Sequence, residues 1–378
     1  MNSKDIIDCK RGKLNLIPDE LLGRKPVSLM KEDIQRFLED KVILVTGGGG
    51  TIGSEICRQA AGAGQLIILD NYENNAYELQ QELKCTHKNL NLKVEIASVQ
   101  DRFTVNNIFK KYRPQLVFHA AAHKHVPLME ACPAEAVKNN IFGTYNVITA
   151  ARDYKAEKFV LISTDKAVNP TNVMGASKRF CELILRSMKH CENTRFAAVR
   201  FGNVLGSNGS VIPLFQSQIE KGGPVTLTDK NIVRYFMTAT EAACLVLRAG
   251  EMASNAEIYV LDMGKPVQIL KLAEKLIKLN GYMPYKDIDI IETGLRPGEK
   301  LYEELMTDKN ELTATVNHKI FIEKQEEIEL SLITHSLKQL KEAVKSGSSE
   351  KIRQALKEAV PTYKEPSEVN ERLRDFLK

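Results

Sequence analysis

Three polar residues able to hold or exchange protons follow a short apolar run near the middle of the chain. The run is residues 159–162, and it leads into Thr164, Asp165 and Lys166. A carboxyl group beside an ammonium group is a matched acid/base couple, because each group perturbs the pKa of the other. The pattern therefore predicts general acid/base chemistry here. The alternative is a surface turn in which Asp165 and Lys166 form only a solvated pair.

A second pair of residues lies just beyond this cluster. Met174 and Lys178 are four residues apart, which places them on one face of a helix that we expect to continue through Lys189. Lysine offers an ammonium donor, whereas the methionine thioether has no proton to exchange. Lys178 can therefore donate hydrogen bonds from this helix face, whereas Met174 can only pack.

A glycine-rich turn in the first part of the chain has the spacing of a phosphate-binding site. Residues 42–45 are apolar and mostly β-branched, which predicts a strand buried on both faces. Gly47, Gly50 and Gly53 follow, and a helix is expected over 54–63. Backbone N–H groups and the positive end of the helix dipole then point to one place, where a phosphate can bind.

The next strand ends in an acid that bears on the choice of nucleotide. Residues 65–70 are expected to form a buried strand ending at Asp70, near where an acid binds the adenosine ribose in a dinucleotide-binding unit. Asn71, Tyr72 and Glu73 follow and supply no cation for a 2′-phosphate. The unit therefore favours NAD over NADP. The alternative is a βαβ unit in which Asp70 only caps the following helix.

Size and composition exclude several other classes of protein. The chain has 378 residues, 53 of them basic and 48 acidic, and its net charge of +5 is too mild and dispersed to indicate nucleic-acid binding. The seven cysteines form no CxxC pair and are odd in number, so neither a zinc site nor a disulfide framework is predicted. Because no apolar run suits a signal peptide or a membrane span, we expect a soluble, cytoplasmic protein.

The elements that must position these residues alternate between strand and helix from 41 to about 200. Further strands are expected at 94–97, 115–119, 158–162 and 195–199, and one more returns at 257–261. This alternation predicts an α/β fold with a Rossmann-type doubly wound parallel sheet, helices on both faces and ligands at the carboxyl ends of the strands.

We expect four parts along the chain. Residues 1–40 form an N-terminal arm with a short helix at KEDIQRFLED, and 41–200 form an NAD-binding Rossmann domain. Residues 201–320 form a smaller C-terminal substrate-binding lobe that includes the returning strand, and 321–378 form a charged helical tail. Apolar residues at helical spacing in the tail indicate helices that pack on the protein or on another copy.

The order of these motifs resembles the extended short-chain dehydrogenase/reductase family. The motifs are TGGGGTIG, Asp70, HAAAHKH, NNIFGT, STDKAVNPTN and the helix with Lys178. With ELLGRKPV, RFGNVLGSNGSVIP, PVTLTD, VRYFMT and GLRPGEKLYEE added, the chain is similar to UDP-N-acetylglucosamine 4,6-dehydratases of the polysaccharide-biosynthesis class, over roughly residues 20–310. The resemblance implies an NAD-dependent lyase acting on a UDP-sugar, and a homo-oligomer.

The resemblance and the strand ends together assign two sets of ligand contacts. The cofactor set is Gly47, Gly50, Thr51, Ile52, Gly53, Asp70, Asn71, Ser98, Val99, Ala120, Ala121, Ala122, Asn140 and Lys178. The substrate set is Lys124, His125, Asn203, Val211, Thr226, Arg234, Arg296 and Glu299. Both arginines suit a diphosphate, with surface salt bridges as the alternative. His123 and His125 lack a nearby cluster of acids or cysteines, so no metal is expected.

One position departs from the general family pattern. Where most members have the tyrosine of a YxxxK pair, this chain has Met174, as in a dehydratase subgroup thought to retain configuration at C5. The resemblance implies that Thr164 and Asp165 help to deprotonate the C4 hydroxyl, while Lys178 holds the nicotinamide ribose. It also implies that Lys166 removes the C5 proton and Asp165 protonates the departing C6 hydroxyl, with these two roles exchangeable.

Two other functions fit the same residues. A UDP-sugar 4-epimerase shares the fold, the cofactor and the first hydride step. An epimerase needs no acid for a C6 hydroxyl, so the adjacent Asp165 and Lys166 favour dehydration. A catalytically silent protein that binds NAD or a nucleotide sugar would account for the missing tyrosine.

Overall fold

The computed structural model describes residues 31–305, 312–324 and 327–370. The strands are β1 (Val42–Thr46), β2 (Gln65–Asp70), β3 (Leu92–Ile96), β4 (Leu116–His119), β5 (Lys158–Ile162), β6 (Arg195–Arg200), β7 (Asn203–Val204), β8 (Val225–Leu227), β9 (Val233–Arg234), β10 (Phe236–Met237), β11 (Asn255–Leu261), β12 (Val267–Gln268), β13 (Ile290–Glu292), β14 (Leu312–Ala314) and β15 (Ile320–Glu323). The α-helices are α1 (Lys31–Leu38), α2 (Thr51–Gln59), α3 (Glu73–Thr86), α4 (Arg102–Tyr112), α5 (Val126–Ala131), α6 (Pro133–Glu135), α7 (Gly143–Asp153), α8 (Val173–Arg186), α9 (Val211–Glu220), α10 (Ala239–Met252), α11 (Ile269–Leu279), α12 (Leu330–Lys345) and α13 (Ser349–Ala359).

The main sheet has nine strands in the order β14-β15-β11-β6-β5-β4-β1-β2-β3. All neighbours from β3 to β11 are parallel, whereas β15 pairs antiparallel with both β11 and β14. The strand order reverses at β1, where a doubly wound sheet binds its ligand. The predicted α/β fold with a parallel sheet is therefore confirmed. The sequence does not predict β14 and β15, because three and four residues carry no clear periodicity.

The central strands are buried on both faces, as their apolar runs predict. Ile43, Leu44 and Val45 are each 0% exposed. Leu44 enters the core that α7 and α8 cover, whereas Ile43 and Val45 enter the opposite core under α2 and α10. The helices thus cover both faces of the sheet and leave its strand ends open for a ligand.

The smaller lobe has an apolar core of its own. Helices α9 and α11 contribute Phe215 and Leu276 to this core, and β8 contributes Val225. Strand β8 pairs with β13 in a separate two-stranded sheet. The lobe follows β6 in the chain, so its loops begin at the carboxyl end of the main sheet.

Several element boundaries differ from the sequence expectation. Helix α2 begins at Thr51, with Gly50 as its N-cap, and not at residue 54. Helix α8 ends at Arg186 and not at Lys189, because the chain turns there through a hydrogen bond from Met188 N–H to the carbonyl of Leu185. No helix within the described ranges is long and apolar enough to cross a membrane.

The two ends of the chain were expected to form an arm and a helical tail. Residues 1–30 of the arm, with the ELLGRKPV motif, lie outside the described residues, and α1 is the short helix that follows them. In the tail, α12 and α13 pack on α8 through Leu340 and Leu356. Beyond α13, the N–H of Lys364 donates to the carbonyl of Pro170 over 2.9 Å. The tail therefore contacts the loop that follows β5.

Candidate active site

The glycine-rich turn between β1 and α2 leaves no room for side chains. Gly47 has a φ of +67°, and a Cβ on it would lie 2.6 Å from the backbone nitrogen of Ala121. A Cβ on Gly53 would lie 2.1 Å from the carbonyl oxygen of Gly47. Only glycine fits these two positions, so the first turn of α2 lies directly against the glycine loop. The unpaired N–H groups at the helix start therefore lie beside the cleft that Gly47 and Gly50 line.

This cleft brings together nine of the predicted cofactor residues. They are Gly47, Gly50, Asp70, Asn71, Ser98, Val99, Ala120, Ala121 and Ala122. Gly49, Leu69, Asn75, Ala97, His123 and Asn139 complete its lining, and sequence reasoning missed them because their types carry no specific signal. Thr51, Ile52 and Gly53 lie in the first turn of α2. The cleft therefore lies where β1, β2 and β4 end and the strand order reverses.

Asp70 stands at the edge of the cleft, at the last residue of β2. Its Oδ2 accepts from the N–H of Gly49 over 2.8 Å, and its Oδ1 accepts from the N–H of Tyr72 over 2.9 Å. Each carboxylate oxygen keeps a lone pair for a ribose hydroxyl. Among the described residues, those that line the cleft include no lysine or arginine. The site therefore fits a dinucleotide whose adenosine ribose carries no phosphate.

Asn140 and Lys178 lie deeper than the cleft residues. Asn140 is 0% exposed, and its amide bonds the backbone N–H and carbonyl of His123 and the hydroxyl of Ser177, over 2.8–3.1 Å. In the structure it holds the cleft wall at His123, whereas the sequence predicts a direct cofactor contact. Burial lowers the pKa of Lys178, whose ammonium has no hydrogen-bond or ion-pair partner in the described part of the chain. Lys178 therefore keeps its donors for a ligand.

Thr164, Asp165 and Lys166 form a hydrogen-bonded line at the carboxyl end of β5. The Thr164 hydroxyl donates to Oδ1 of Asp165 over 2.8 Å, and Nζ of Lys166 donates to the same oxygen over 3.0 Å. Asp165 is 0% exposed, and its Oδ2 has no partner among the described residues. The Lys166 side chain is 19% exposed, and Thr164 is partly exposed. The carboxylate therefore reaches a ligand through these two neighbours.

Two more side chains surround the Lys166 ammonium. Oε1 of Glu303 lies 3.7 Å from Nζ, and Oδ1 of Asn203 lies 3.5 Å from it. Burial opposes the charge on Lys166, but the carboxylates of Asp165 and Glu303 outweigh it and raise the pKa of the amine above its usual value. Lys166 is therefore an ammonium in the free protein. Sequence reasoning missed Glu303, because nothing in GLRPGEKLYEE separates it from the neighbouring acids.

A buried ionic cluster fixes the strand end that carries these residues. Glu182 on α8 accepts from the hydroxyl of Ser163 over 2.6 Å and from Nε and Nη2 of Arg200 over 2.7 Å. Arg200 on β6 also donates to Glu323 on β15 over 2.6 Å. Burial alone would raise the pKa of Glu182, but Arg200 lowers it to about 2. Because Ser163 precedes Thr164, this cluster ties the end of β5 to α8 and β6.

The methionine in the tyrosine position lies in the first turn of α8. Met174 is 5% exposed and belongs to the apolar core on that face of the sheet. Asn172 caps the helix by accepting from the N–H of Gly175 over 2.7 Å. A Cβ at Gly175 would lie 2.2 Å from the carbonyl oxygen of Lys166, so glycine allows the helix to pack against the loop that carries Asp165 and Lys166. Met174 therefore contributes packing and no proton donor.

Arg234 makes hydrogen bonds within the protein, whereas the sequence predicts that it binds the diphosphate of the substrate. Its guanidinium donates to the carbonyl oxygens of Val233, Lys300 and Leu301 over 2.8–3.1 Å. It also donates to Oε1 of Glu299 over 3.3 Å. A buried guanidinium needs partners for its donors, and the chain supplies them here. In the structure, Arg234 therefore holds residues 299–301 in place, and Glu299 is part of that contact.

Arg296, Lys124 and His125 remain available near the site. Arg296 is exposed, and the described residues offer its guanidinium no partner. Burial lowers the pKa of both Lys124 and His125, and Lys124 lowers that of His125 further. The His125 ring packs against Gly209, where a Cβ would lie 2.7 Å from Cε1. The loop after β4 therefore meets the loop after β7.

The remaining predicted substrate residues lie on the smaller lobe and its edge. Asn203 begins β7 and lies beside Lys166, whereas Val211 is the first residue of α9. Thr226 lies in β8, where its hydroxyl accepts from Nε2 of Gln218 over 2.7 Å. Across the described ranges, no group of three or more histidines, cysteines or acids is placed to hold a metal ion.

Comparison with known proteins identifies the family. Residues 43–325 match the family described as polysaccharide biosynthesis protein. The chain belongs to this family. It is 54% identical over 299 residues to the probable polysaccharide biosynthesis protein EpsC of Bacillus subtilis (strain 168), and 54% identical over 298 residues to the capsular polysaccharide biosynthesis protein CapD of Staphylococcus aureus. Each match covers 78% of this chain but 50% of EpsC and 49% of CapD, so the chain spans about half the length of these relatives.

Other proteins similar to this chain carry an enzyme name or have a solved structure. The chain is 34% identical over 277 residues to the UDP-glucose 4-epimerase of Rickettsia rickettsii (strain Sheila Smith), covering 71% of this chain and 79% of the epimerase. Pen from Bacillus thuringiensis, solved by X-ray crystallography, has a TM-score of 0.70 and 36% identity, covering 77% of this chain and 90% of Pen. The likeness to Pen agrees with the doubly wound α/β fold described above.

Proposed function

We propose that this chain catalyses the NAD-dependent 4,6-dehydration of UDP-N-acetylglucosamine. The product is a UDP-4-keto-6-deoxy-N-acetylhexosamine, which supplies surface-polysaccharide or modified-sugar biosynthesis. The observation that carries the proposal is the line of Thr164, Asp165 and Lys166, which joins a hydroxyl, a carboxylate and an ammonium over 2.8 and 3.0 Å. An elimination of water needs both a base and an acid, and this line supplies both.

The cleft residues supply what NAD needs. Asp70 would accept from the adenosine ribose hydroxyls and repel a 2′-phosphate, and the glycine turn would hold the diphosphate. Lys178 would donate to the nicotinamide ribose, since its ammonium has no partner among the described residues. When bound, NAD accepts a hydride from C4 of the sugar and returns it to C6 within one turnover. The chain itself therefore has to move only protons.

In this proposal, Thr164 and Asp165 together remove the proton of the C4 hydroxyl. Oγ1 of Thr164 takes that proton while its own proton moves to Oδ1 of Asp165, 2.8 Å away. Asp165 becomes a carboxylic acid and Thr164 is unchanged. Because Asp165 is 0% exposed, this relay replaces the direct contact between Asp165 and the sugar that the sequence predicts. The relay also takes over the role of the tyrosine, which Met174 cannot perform because its thioether has no proton to exchange.

The elimination step then uses the amine of Lys166 as the base and the protonated Asp165 as the acid. The C4 ketone acidifies the C5 proton, which the neutral amine of Lys166 removes. The proton on Asp165 returns through Thr164 to the C6 oxygen, which leaves as water. Lys166 gives its proton back to C5 as the hydride reaches C6. Asp165 and Lys166 each take and return one proton, so both end the turnover as they began it.

The nucleotide part of the substrate requires cations and polar groups. Arg296 is exposed and free for bidentate contact with a diphosphate, in place of the engaged Arg234. Lys124 and His125 would contact the sugar or the phosphates from the loop after β4, and Asn203 would do so beside Lys166. These proposed roles rest on the charge and hydrogen-bonding groups of the four side chains.

A 4-epimerase is the second candidate, because the relative from Rickettsia rickettsii is a UDP-glucose 4-epimerase. The match covers 79% of that epimerase. The chemistry at C4 is common to both enzymes. Epimerisation leaves C6 untouched and has no use for the second proton carrier next to Thr164. A protein that binds NAD or the nucleotide sugar without turnover is the third candidate.

The test is incubation of the purified chain with NAD and UDP-N-acetylglucosamine, followed by mass spectrometry of the sugar nucleotide. Loss of one water mass supports dehydration, an unchanged mass with a new isomer supports epimerisation, and neither change supports a binding protein. A proton spectrum of the product formed in deuterated water then reports the configuration at C5. Lys166→Met is the matched inactive control, since it removes the amine and keeps the apolar stem.

The assembly and location of the protein are further proposals. The family resemblance implies a homo-oligomer, and the cysteine pattern fits a reducing cytoplasm. Analytical ultracentrifugation of the full chain measures the oligomeric state, and fractionation of the source cells measures the location. A monomer at micromolar concentration would contradict the expected assembly.

A further inference from the structure

Lys166 can remove the C5 proton only as a neutral amine. In the free protein it is an ammonium, held by the carboxylate of Asp165 over 3.0 Å. The proposed dehydration therefore needs a group that takes the ammonium proton before the C5 proton is removed. Asp165 cannot serve, because it carries the proton of the C4 hydroxyl at that stage.

A second carboxylate stands within reach of the same ammonium. Oε1 of Glu303 lies 3.7 Å from Nζ of Lys166, and no other cation is paired with Glu303 among the described residues. Glu303 is 3% exposed, and its Oε2 has no hydrogen-bond partner in the described part of the chain. Burying a carboxylate oxygen without a hydrogen-bond partner costs free energy. Such a group is therefore a candidate for ligand binding or proton transfer.

The segment that carries Glu303 is fastened on both sides. Arg234 donates to the carbonyl oxygens of Lys300 and Leu301 over 2.8 and 3.1 Å. Nζ of Lys300 donates to the carbonyl of Val168 over 3.1 Å, which joins the segment to the loop of Asp165 and Lys166. The position of Glu303 beside Lys166 is thus set by buried hydrogen bonds and not by a surface loop.

The tail adds a third attachment to this segment. The side chain of Asn370 accepts from the N–H of Leu301 over 3.0 Å and donates to the carbonyl of Glu299 over 2.9 Å. Asn370 is 8% exposed. Residue 370 lies beyond the family match, which ends at residue 325. The placement of Glu303 therefore also depends on a part of the chain outside the shared family region.

We propose that Glu303 is a positioning residue for Lys166 that also accepts its ammonium proton. The N–H bond of Lys166 breaks as the O–H bond of Glu303 forms, so an ion pair becomes a neutral amine and a neutral acid. The proton returns to Lys166 after that amine has given the C5 proton back. The transfer becomes easier once Asp165 is protonated and the sugar has displaced water, because both changes remove support for the ammonium. This inference rests on the proposed dehydration.

The first test reads the protonation of Lys166 without turnover. Acetylation by a small amine-reactive ester at a fixed pH near 9 depends on the neutral fraction of each lysine, and peptide mass spectrometry resolves Lys166. In Glu303→Gln we expect at least about tenfold faster acetylation of Lys166, since loss of a neighbouring carboxylate moves the pKa by about one unit or more. Glu303→Asp restores a carboxylate and should return the rate toward that of the unaltered chain.

Glu304→Gln is the matched control, because Glu304 is the next residue and bonds Nδ2 of Asn169 and not Lys166. Equal acetylation of Lys166 in Glu303→Gln and Glu304→Gln overturns the proposal. This comparison decides the relationship of Glu303 to Lys166 even if the chain does not dehydrate UDP-N-acetylglucosamine, so the two failures are distinguishable.

The second test uses turnover and its dependence on pH. The acetylation test reads the free protein, whereas in the complex the sugar has displaced water; without Glu303, Lys166 must then lose its proton to solvent before the substrate binds. We expect kcat of Glu303→Gln at pH 7 to fall by about 100-fold with little change in KM, and to recover as the pH rises. Glu303→Asp should keep most of the activity at pH 7. A variant whose kcat is low at every pH, or unchanged at pH 7, contradicts the proton-accepting role.

Discussion

The hydroxyl of Thr164 donates to Oδ1 of Asp165 over 2.8 Å, so a fully buried carboxylate is connected to the protein surface through a partly exposed hydroxyl. Neither residue alone has the properties of the tyrosine that the family uses. In the proposed mechanism, the alcohol contacts the ligand and the carboxylate holds the proton. We propose this two-residue relay as the replacement for the tyrosine whose position Met174 occupies.

Asp165→Asn should abolish dehydration and leave NAD binding intact. The amide keeps an acceptor for Thr164 and Lys166 but takes no proton, so we expect about a 10²–10⁴-fold loss of product formation. Mass spectrometry of the sugar nucleotide measures the loss, and titration calorimetry measures NAD affinity. Asp153→Asn, at an exposed acid paired with Arg152, is the control and should behave as the unaltered chain. Full turnover by Asp165→Asn would remove this residue from the mechanism.

Gly53→Ala should disrupt the dinucleotide turn. A Cβ there would lie 2.1 Å from the carbonyl oxygen of Gly47, so α2 must move away from the turn. We expect a loss of about 2–4 kcal/mol in the free energy of unfolding together with weaker NAD binding, as for an overpacked core position. Gly62→Ala is the control, because a Cβ on Gly62 meets nothing within 4 Å. Equal urea midpoints for the two variants would mean that the close contact at Gly53 is unimportant.

Asp70→Ser should weaken the preference for NAD over NADP. The change removes the charge that repels a 2′-phosphate and shortens the group that accepts from ribose hydroxyls. We expect NAD to bind about tenfold more weakly, whereas NADP binds no worse than before, because about 1.4 kcal/mol of hydrogen bonding is lost for NAD alone. Calorimetric titration with each nucleotide measures both changes. Glu73→Gln, at an exposed acid nearby, should alter neither affinity.

Glu182 should make stability depend on pH in the acid range. Its folded pKa of about 2 lies below the unfolded value near 4.5, so its stabilisation is present above pH 4.5 and is lost as the pH falls toward 2. The difference corresponds to about 3 kcal/mol. Urea unfolding at pH 6 and at pH 3 should show about 2 kcal/mol of this difference, because the folded carboxylate loses the remainder only below pH 3.

Glu182→Gln should remove most of that pH dependence and cost about 3 kcal/mol at neutral pH, because Arg200 loses one of its two buried carboxylate partners and keeps only Glu323. Glu342→Gln, at an exposed acid on α12, is the control and should leave the pH profile as it was. A steep acid transition that persists in Glu182→Gln would assign the pH dependence to other carboxylates.

Short residue patterns predict the structural features that depend on interactions within one stretch of the chain. The strand and glycine turn from Val42 to Gly53 depend on the apolar run and on positions that exclude a Cβ, and both are visible in the residue types. Asp70 at the end of β2 follows from strand length alone. The adjacent Thr164, Asp165 and Lys166 are at the strand end where the sheet topology places chemistry.

Long-range contacts decided what each polar group does. The sequence suggests that Arg234 binds phosphate and that Asp165 touches the sugar. In the structure, Arg234 donates to backbone carbonyl oxygens and Asp165 is fully buried. Whether a guanidinium is free depends on the carbonyl groups that fold around it, and these lie more than 60 residues away in the chain.

By itself, the sequence determined the parallel sheet, the dinucleotide turn and the position of the acid/base pair, because strand burial, glycine geometry and strand-end placement are properties of short stretches. Only the tertiary structure decided which charges meet. Glu303 lies beside Lys166, and Asn370 bonds Leu301, because distant segments pack together at one edge of the sheet. Electrostatic interactions depend on distance in space, which residue spacing along the chain does not specify.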